Sequence, residues 1–482
     1  MKFISTRSRI AVSPSRALLD GIAGDGGLYT PSFFPDCSNR IDEFCGLNYR
    51  DLAYEILKLY FTDFSNDDLL NCVYSAYDDK FSSPAVAPLK KAGKCHFLEL
   101  FHGPTSAFKD LALSILPRLL AVASKNLGES SKILILAATS GDTGKAALEA
   151  FRDVSGTAIA VFYPSAGVSA VQKAQMVTQE GANVFVAGIS GNFDMAQTGV
   201  KTMFLSPKVR EEAGKAGFKL SSANSINIGR LLPQIVYYFY SYAQMVKEGD
   251  ISIGEQISFA VPTGNFGDIL AGYYAKKMGL PVERLICASN SNCVLADFFA
   301  SGVYDLNRKF FVTISPSMDI LISSNFERLL FDLSDEATVL ECMESLKTNK
   351  KYMFNKPVPG FAAGWADEEK TLRAIRETAE SGYFIDPHTA VALAVWRDLG
   401  EISNCVILAT ASPYKFAADV LRAGGHKADS AFAALEKLSE VSGTAIPEKL
   451  RRLDKKPVRH NTLCDASEIE DVLFKFIGDL DE

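Results

Sequence analysis

Apolar positions along the chain follow two rhythms. Up to about residue 90 they recur every three or four residues, as over 49–60 and 66–77, which predicts helices with one buried face. Ahead of them, Asp25-Gly-Gly-Leu-Tyr-Thr-Pro31 reads as a turn leading into an extended piece. From about residue 95 short apolar runs alternate with helical stretches. Strands are predicted at 133–137, 158–163, 183–186, 257–261, 285–288 and 405–409, each followed by Gly, Ser, Asn or Pro and then a helical pattern. Near-continuous apolar strands alternating with helices predict a parallel sheet covered on both faces, the α/β class.

The alternation breaks between 310 and 380. The chain therefore divides into a mainly helical N-terminal domain (1–92), an α/β core of two interleaved subdomains (93–309 and 381–424), an inserted helical subregion (310–380) and a C-terminal tail (425–482). The tail carries the basic run Lys449 to Arg459, read as solvated surface.

Composition narrows the function classes. Net charge is −7, which gives no broad basic surface for nucleic acid, so an anionic substrate needs a local basic cluster. No apolar run reaches membrane-spanning length, and the first residues lack the apolar core of a signal peptide. The nine cysteines are scattered without a Cys-x-x-Cys pair, and there are five histidines, so no metal site is expected. Free thiols fit a reducing cytoplasm.

Ligands of parallel α/β sheets sit at the carboxyl ends of strands, and three turns fall there. Gly264-Asn265-Phe266-Gly267, followed by Asp268, links the strand at 257–261 to a helix. Its amides suit a phosphate that glycine lets approach closely. Ser140-Gly141-Asp142-Thr143 has the same context and suits a carboxylate or a phosphate. It lacks the spacing of an ATP-binding loop, because only three residues separate Gly141 from Lys145. The third turn carries Thr410, whose hydroxyl suits a heterocycle nitrogen, and Lys415, which suits an anion. A further run, Asn224-Ser225 to Arg230, places amides beside a guanidinium suited to phosphate.

Upstream of all these stands Lys109, in His102-Gly-Pro-Thr-Ser-Ala-Phe-Lys109-Asp110. Each segment alone has an ordinary reading: a surface lysine at a helix start, tight βα turns, a capping Asn or Ser. Together, one lysine and two anion-binding turns match the needs of pyridoxal 5'-phosphate chemistry. The lysine holds the cofactor aldehyde, one turn binds its phosphate, and the other binds the anionic end of a substrate.

These segments, with Ser5-Thr-Arg7, Asp25-Gly-Gly-Leu-Tyr29, Ser315-Pro-Ser-Met-Asp-Ile320, Ser324-Asn-Phe-Glu-Arg328 and Asp386-Pro-His-Thr-Ala390, resemble the threonine synthase family over nearly the whole chain. The resemblance implies the fold type II of pyridoxal-phosphate enzymes (tryptophan synthase β-like), in the longer subgroup of the family. It implies conversion of O-phospho-L-homoserine and water to L-threonine and phosphate, by a monomer or homodimer. Lys109 is then the catalytic and cofactor-holding lysine. Gly264, Asn265, Phe266, Gly267, Asp268 and Thr410 hold the rest of the cofactor. Ser140, Gly141, Asp142, Thr143, Asn224, Ser225, Arg230 and Lys415 meet the substrate, with Arg230 and Lys415 as its phosphate cations.

The sequence departs from the family pattern in places. Ser412 and Tyr414 stand where the family usually has His and Ala, Ser8-Arg9 replaces a double glycine, and Pro117 interrupts the helix after Lys109. The first departure keeps open a related phospho-lyase that releases 2-oxobutyrate, ammonia and phosphate. A catalytically silent scaffold is the alternative from another class.

Overall fold

The computed structural model describes residues 1–165, 168–191 and 193–480. Two parallel sheets organise these residues. The larger has six strands in the order Phe361–Trp365, Val282–Ser289, Ile257–Pro262, Cys405–Ala409, Cys95–Glu99, Leu89–Ala92. All neighbours run parallel except the last pair. The smaller has five parallel strands in the order Thr462–Cys464, Val184–Ile189, Thr157–Pro164, Lys132–Ala138, Phe218–Ser221. Every residue of Ile257–Pro262, Cys405–Ala409 and Thr157–Pro164 is buried, which explains why they read as unbroken apolar runs rather than alternating ones.

The N-terminal helices form as their spacing predicts and stop where their caps place them. Asn48 accepts from the amides of Arg50 and Asp51 at the start of Tyr49–Leu57, and Ser65 accepts from Asp68 at the start of Asn66–Ala76. Both pack into one large core with the long helix Ile228–Glu248, most of whose residues are buried. Pro117 does not disrupt its helix. The segment after Lys109 splits into Lys109–Leu113 and Leu116–Leu127, and Pro117 sits in the first turn of the second, where no helical amide is lost.

Three domain boundaries are corrected. Leu89–Ala92 pairs with Cys95–Glu99, so the core begins before residue 93. The region 310–380 is not a wholly helical insert, because Phe361–Trp365 extends the larger sheet alongside Val282–Ser289. Nor is 425–482 a tail: Thr462–Cys464 pairs with Val184–Ile189, and Ile469–Asp479 packs into the core of the smaller sheet. Residues 481 and 482 of that segment lie outside the described residues. Among the described residues no helix is long and apolar enough to cross a membrane, and no group of three metal-binding side chains occurs.

Candidate active site

A cleft of about 1610 Å³ opens at the carboxyl ends of both sheets. Its wall includes Lys109, residues 138–140, 142 and 143 of one turn and 262–268 of another, Asn224, Ser225, Arg230 and Thr410.

The loop ahead of Lys109 explains its own sequence. Asp110, buried in the first turn of Lys109–Leu113, accepts from the Thr105 amide at 2.7 Å and from its hydroxyl at 2.6 Å. Gly103 lies so close that a Cβ there would stand 2.4 Å from Asp110 Cβ. Burial pushes the Asp110 carboxyl up to about 6, with the Thr105 hydrogen bonds acting against it. The Phe108 amide donates to the Thr410 carbonyl at 2.8 Å and the Ser412 amide to that of Ser106 at 3.1 Å, which clamps the lysine loop to the Thr410 turn.

Lys109 is buried at the base of the cleft. Its Nζ donates to Ser317 Oγ at 3.4 Å and lies 3.5 Å from Asp142 Oδ2. Burial lowers its pKa below the ordinary lysine value. Asp142 opposes this, while Lys415 and Arg230 reinforce it. An amine so placed is more readily neutral, as a nucleophile and base must be.

Across the cleft, residues of the 310–380 region hold the turn at 264–267. Ser323 Oγ donates to the Gly264 carbonyl at 2.6 Å, and the amide and side chain of Asn325 both reach the Asn265 carbonyl at 3.1 Å. Phe266 adopts φ 63° with its ring edge-on to Phe326. With the carbonyls held outward, the amides of Gly264, Asn265, Phe266 and Gly267 donate to no acceptor among the described residues. A Cβ on Gly267 would meet nothing closer than Asn325 Nδ2 at 3.4 Å, so packing within the protein does not require glycine there. Close approach by a phosphate would. Asp268 follows, buried, its Oδ1 accepting from Tyr237 and Tyr238 and its Oδ2 without a partner among the described residues. The Thr410 hydroxyl also has no partner among the described residues and lines the cleft. A free amide cradle, a buried lysine and an unpaired hydroxyl fit pyridoxal phosphate; Gly264–Gly267 would hold its phosphate, Lys109 its aldehyde and Thr410 its ring nitrogen.

The substrate-side expectations divide. Ser140, Asp142, Thr143, Asn224, Ser225 and Arg230 line the cleft. Arg230 is buried, donates to the Ala223 carbonyl at 2.6 Å and leaves its Nε unpaired among the described residues, a donor suited to an anion. Burial pushes its pKa down to about 10. Gly141 does not line the cleft. It adopts φ 139°, and its amide is taken by Thr139 Oγ1 at 3.0 Å.

Lys415 is corrected. Expected at the substrate's phosphate, it is instead sealed behind the wall with no exposed side chain, 2.6 Å from Asp142 Oδ1 and donating to the Thr105 carbonyl at 3.1 Å. Asp142 is accordingly committed to lysine. Burial alone would raise its pKa, but Lys415 and Lys109, with hydrogen bonds from Lys415 and Gln172, hold it well below the carboxylate range. Ser412 and Tyr414 point away as well. The Ser412 side chain caps a short turn, and the Tyr414 hydroxyl donates to the Thr444 carbonyl at 2.6 Å.

Sequence reasoning assigned no role to Ser317 or His388, although both lie in quoted motifs. The Ser317 amide donates to His388 Nε2 at 3.2 Å, and His388 Nδ1 is 2.7 Å from Asp386 Oδ1. Asp386 in turn caps the helix Pro387–Asp398. This chain ties the strap around Ser317 to the larger sheet's helical cover, directly over Lys109.

A buried lysine at a helix start, facing an amide-lined turn across a cleft between two parallel sheets, defines a pyridoxal-phosphate enzyme of fold type II. Comparison with known proteins gives the family. Residues 2–77 match the model of the threonine synthase N terminus and residues 389–473 that of the threonine synthase C-terminal region. Threonine synthase of Saccharomyces cerevisiae is 36% identical over 494 residues, covering 93% of this chain and 92% of the other. That of Pseudomonas aeruginosa is 38% identical over 468 residues, covering 94% and 97%. Human threonine synthase-like 1 is 39% identical over 436 residues, covering 85% of this chain, which spans only 58% of that longer protein. Among solved structures, pyridoxal-phosphate-bound threonine synthase from Brucella melitensis superposes with a TM-score of 0.86 at 36% identity, covering 99% of each chain. Yeast threonine synthase gives 0.88 at 33%, also covering 99% of each. The chain belongs to the threonine synthase family.

Proposed function

We propose that this chain is a threonine synthase, converting O-phospho-L-homoserine and water to L-threonine and phosphate with pyridoxal 5'-phosphate held at Lys109. The observation that carries this reading is the buried Lys109 amine sharing one cleft with the free amides of Gly264–Gly267, the Thr410 hydroxyl and the Arg230 guanidinium. Bound pyridoxal phosphate supplies an aldehyde that captures amines and a ring that accepts negative charge from the substrate's carbons.

The protein supplies the rest. Lys109, once released as a free amine, takes the proton from the substrate Cα. Burial and the neighbouring cations favour its neutral form. Arg230, with Asn224 and Ser225 beside it, holds the departing phosphate through charge-assisted hydrogen bonds. Ser140 and Thr143, at the start of Asp142–Phe151, receive the carboxylate at a helix N-terminus. Thr410 offers a hydroxyl rather than a carboxylate to the ring nitrogen, which leaves that nitrogen weakly protonated. The reading places the protein in the cytoplasm as a monomer or homodimer, in keeping with nine cysteines that form no disulfide.

Incubation of the cofactor-loaded protein with O-phospho-L-homoserine, followed by separate assays for threonine, 2-oxobutyrate and phosphate, tests the reading. Threonine and phosphate in equal amounts are expected. Equal phosphate and 2-oxobutyrate without threonine would replace the synthase by the lyase. No phosphate release would remove both.

A further inference from the structure

Asp142 stands between two lysines, and it treats them unequally. Its Oδ1 lies 2.6 Å from Lys415 Nζ and accepts from Gln172 Nε2 at 2.8 Å. Its Oδ2 lies 3.5 Å from Lys109 Nζ, beyond good hydrogen-bond length. Lys415 has no exposed side-chain surface and is fastened a second time, to the Thr105 carbonyl at 3.1 Å. It therefore has no route to a ligand in the cleft. A buried ammonium without a ligand needs another reason to be there, since desolvating it is costly unless a partner offsets the cost.

We infer that Lys415 is a positioning residue for Lys109: it closes the short ion pair on Asp142 and so denies Lys109 a full counter-ion. The inference rests on the reading of Lys109 as the amine that joins the cofactor. A carboxylate neutralised at hydrogen-bond distance by one ammonium holds a second less strongly. The other close partners of Asp142, Gln172 and Ser317, are neutral and cannot substitute for that charge.

The remaining ionisable groups facing the pair are Arg230 and Asp268 toward Lys109, and Asp110 toward Lys415. His388, backed by Asp386 and Asp319, reaches the pair only through the Ser317 strap. Of these, Asp110 loses the attraction of Lys415 in Lys415→Met, so its carboxyl, already raised by burial, rises further; it is not among the groups that act on Lys109. Removing Lys415 leaves Asp142 to pair with Lys109 alone and stabilises the Lys109 ammonium. Removing the Asp142 charge does the opposite.

The readout is the rate at which added pyridoxal 5'-phosphate combines with the cofactor-free protein, followed by absorbance across pH. Combination requires a neutral Lys109. The cofactor's own titration is common to every variant and cancels in the comparison. Lys415→Met is expected to move the pH at which the rate falls off upward by roughly 1–3 units, the size of an unshielded carboxylate's effect on a nearby amine. Asp142→Asn is expected to move it downward, and the double variant to lie below Lys415→Met. A Lys415→Met limb that stays in place or falls overturns the inference. If circular dichroism shows that Lys415→Met does not fold, an unmoved limb in Asp142→Asn overturns it instead. So does a wild-type limb at the ordinary lysine value, about 10.4. Failure of the wild-type chain to combine with the cofactor would overturn the reading of the site and this inference with it. Normal combination with unmoved limbs would overturn the inference alone.

Discussion

The carbonyl oxygen of Ser317 lies 2.6 Å from the point where a Cβ on Gly264 would stand. The two glycines of the 264–267 turn are therefore not equivalent. Gly264 makes room for the strap of the 310–380 region, whereas a Cβ on Gly267 meets no protein atom closer than 3.4 Å. Gly267→Val should fold with a near-normal melting temperature yet lose cofactor retention, by at least ten-fold in dissociation constant measured by absorbance titration. Gly264→Val should lower the melting temperature as well. Undiminished affinity in Gly267→Val would move the cofactor phosphate elsewhere.

Borohydride reduction of the cofactor-loaded protein, followed by peptide mapping, should place the label on Lys109. Buried Lys415 and partly buried Lys145 are two other lysines near the site, held at 2.6 Å by Asp142 and at 3.1 Å by Glu149 respectively. A label on either would displace Lys109 from its role.

Arg230→Ala should lower kcat/KM for O-phospho-L-homoserine about ten- to hundred-fold, the loss of about 1.5–3 kcal/mol expected for one charge-assisted contact. Cofactor absorbance should persist. An efficiency within about two-fold of wild type would place the phosphate away from Arg230.

Asp268 gives a pH-dependent stability test. Burial pushes its carboxyl up to about 6, from 3.8. For an acid raised in this way, no cost exists below the unfolded value; the cost grows as pH rises from about 4 to 6 and is constant above. Asp268→Asn keeps an acceptor for Tyr237 and Tyr238 without the charge. It should therefore stabilise the cofactor-free protein at pH 7.5 relative to wild type and leave it nearly unchanged at pH 4, a difference in unfolding free energy on the order of 3 kcal/mol between the two, read from denaturation curves. An equal effect at both pH values would mean that the carboxyl is not raised.

Tyr414 supports the C-terminal segment rather than the chemistry. Tyr414→Phe removes the hydrogen bond to the Thr444 carbonyl and should cost about 1 kcal/mol in a denaturation curve while leaving the ratio of threonine to 2-oxobutyrate unchanged. A shift of products toward 2-oxobutyrate would return this residue to the active site.

How far the sequence discloses all this depends on the range over which each signal acts. Strands buried on both faces, such as Cys405–Ala409, announce themselves through unbroken apolar runs, and the glycine turns that follow them mark the cleft. Phe361–Trp365 escaped because its Ala-Ala-Gly centre is only partly buried and has little strand preference. Thr462–Cys464 escaped because three residues, of which only Cys464 is buried, are too few to carry a period. Lys415 reads as a free cation because its carboxylate, Asp142, lies on another sheet's turn. Ser317 and His388 gain their meaning only when a strap from the 310–380 region crosses over Lys109.

The pairing of Thr462–Cys464 with Val184–Ile189 has a consequence for synthesis. The apolar edge of the smaller sheet waits for a partner encoded roughly 270 residues later. At about 5–20 residues per second that is tens of seconds on the ribosome with a bare strand edge. During that interval the nascent chain is a substrate for chaperones or for its own neighbours on a polysome, and slow codons after residue 190 would lengthen its exposure.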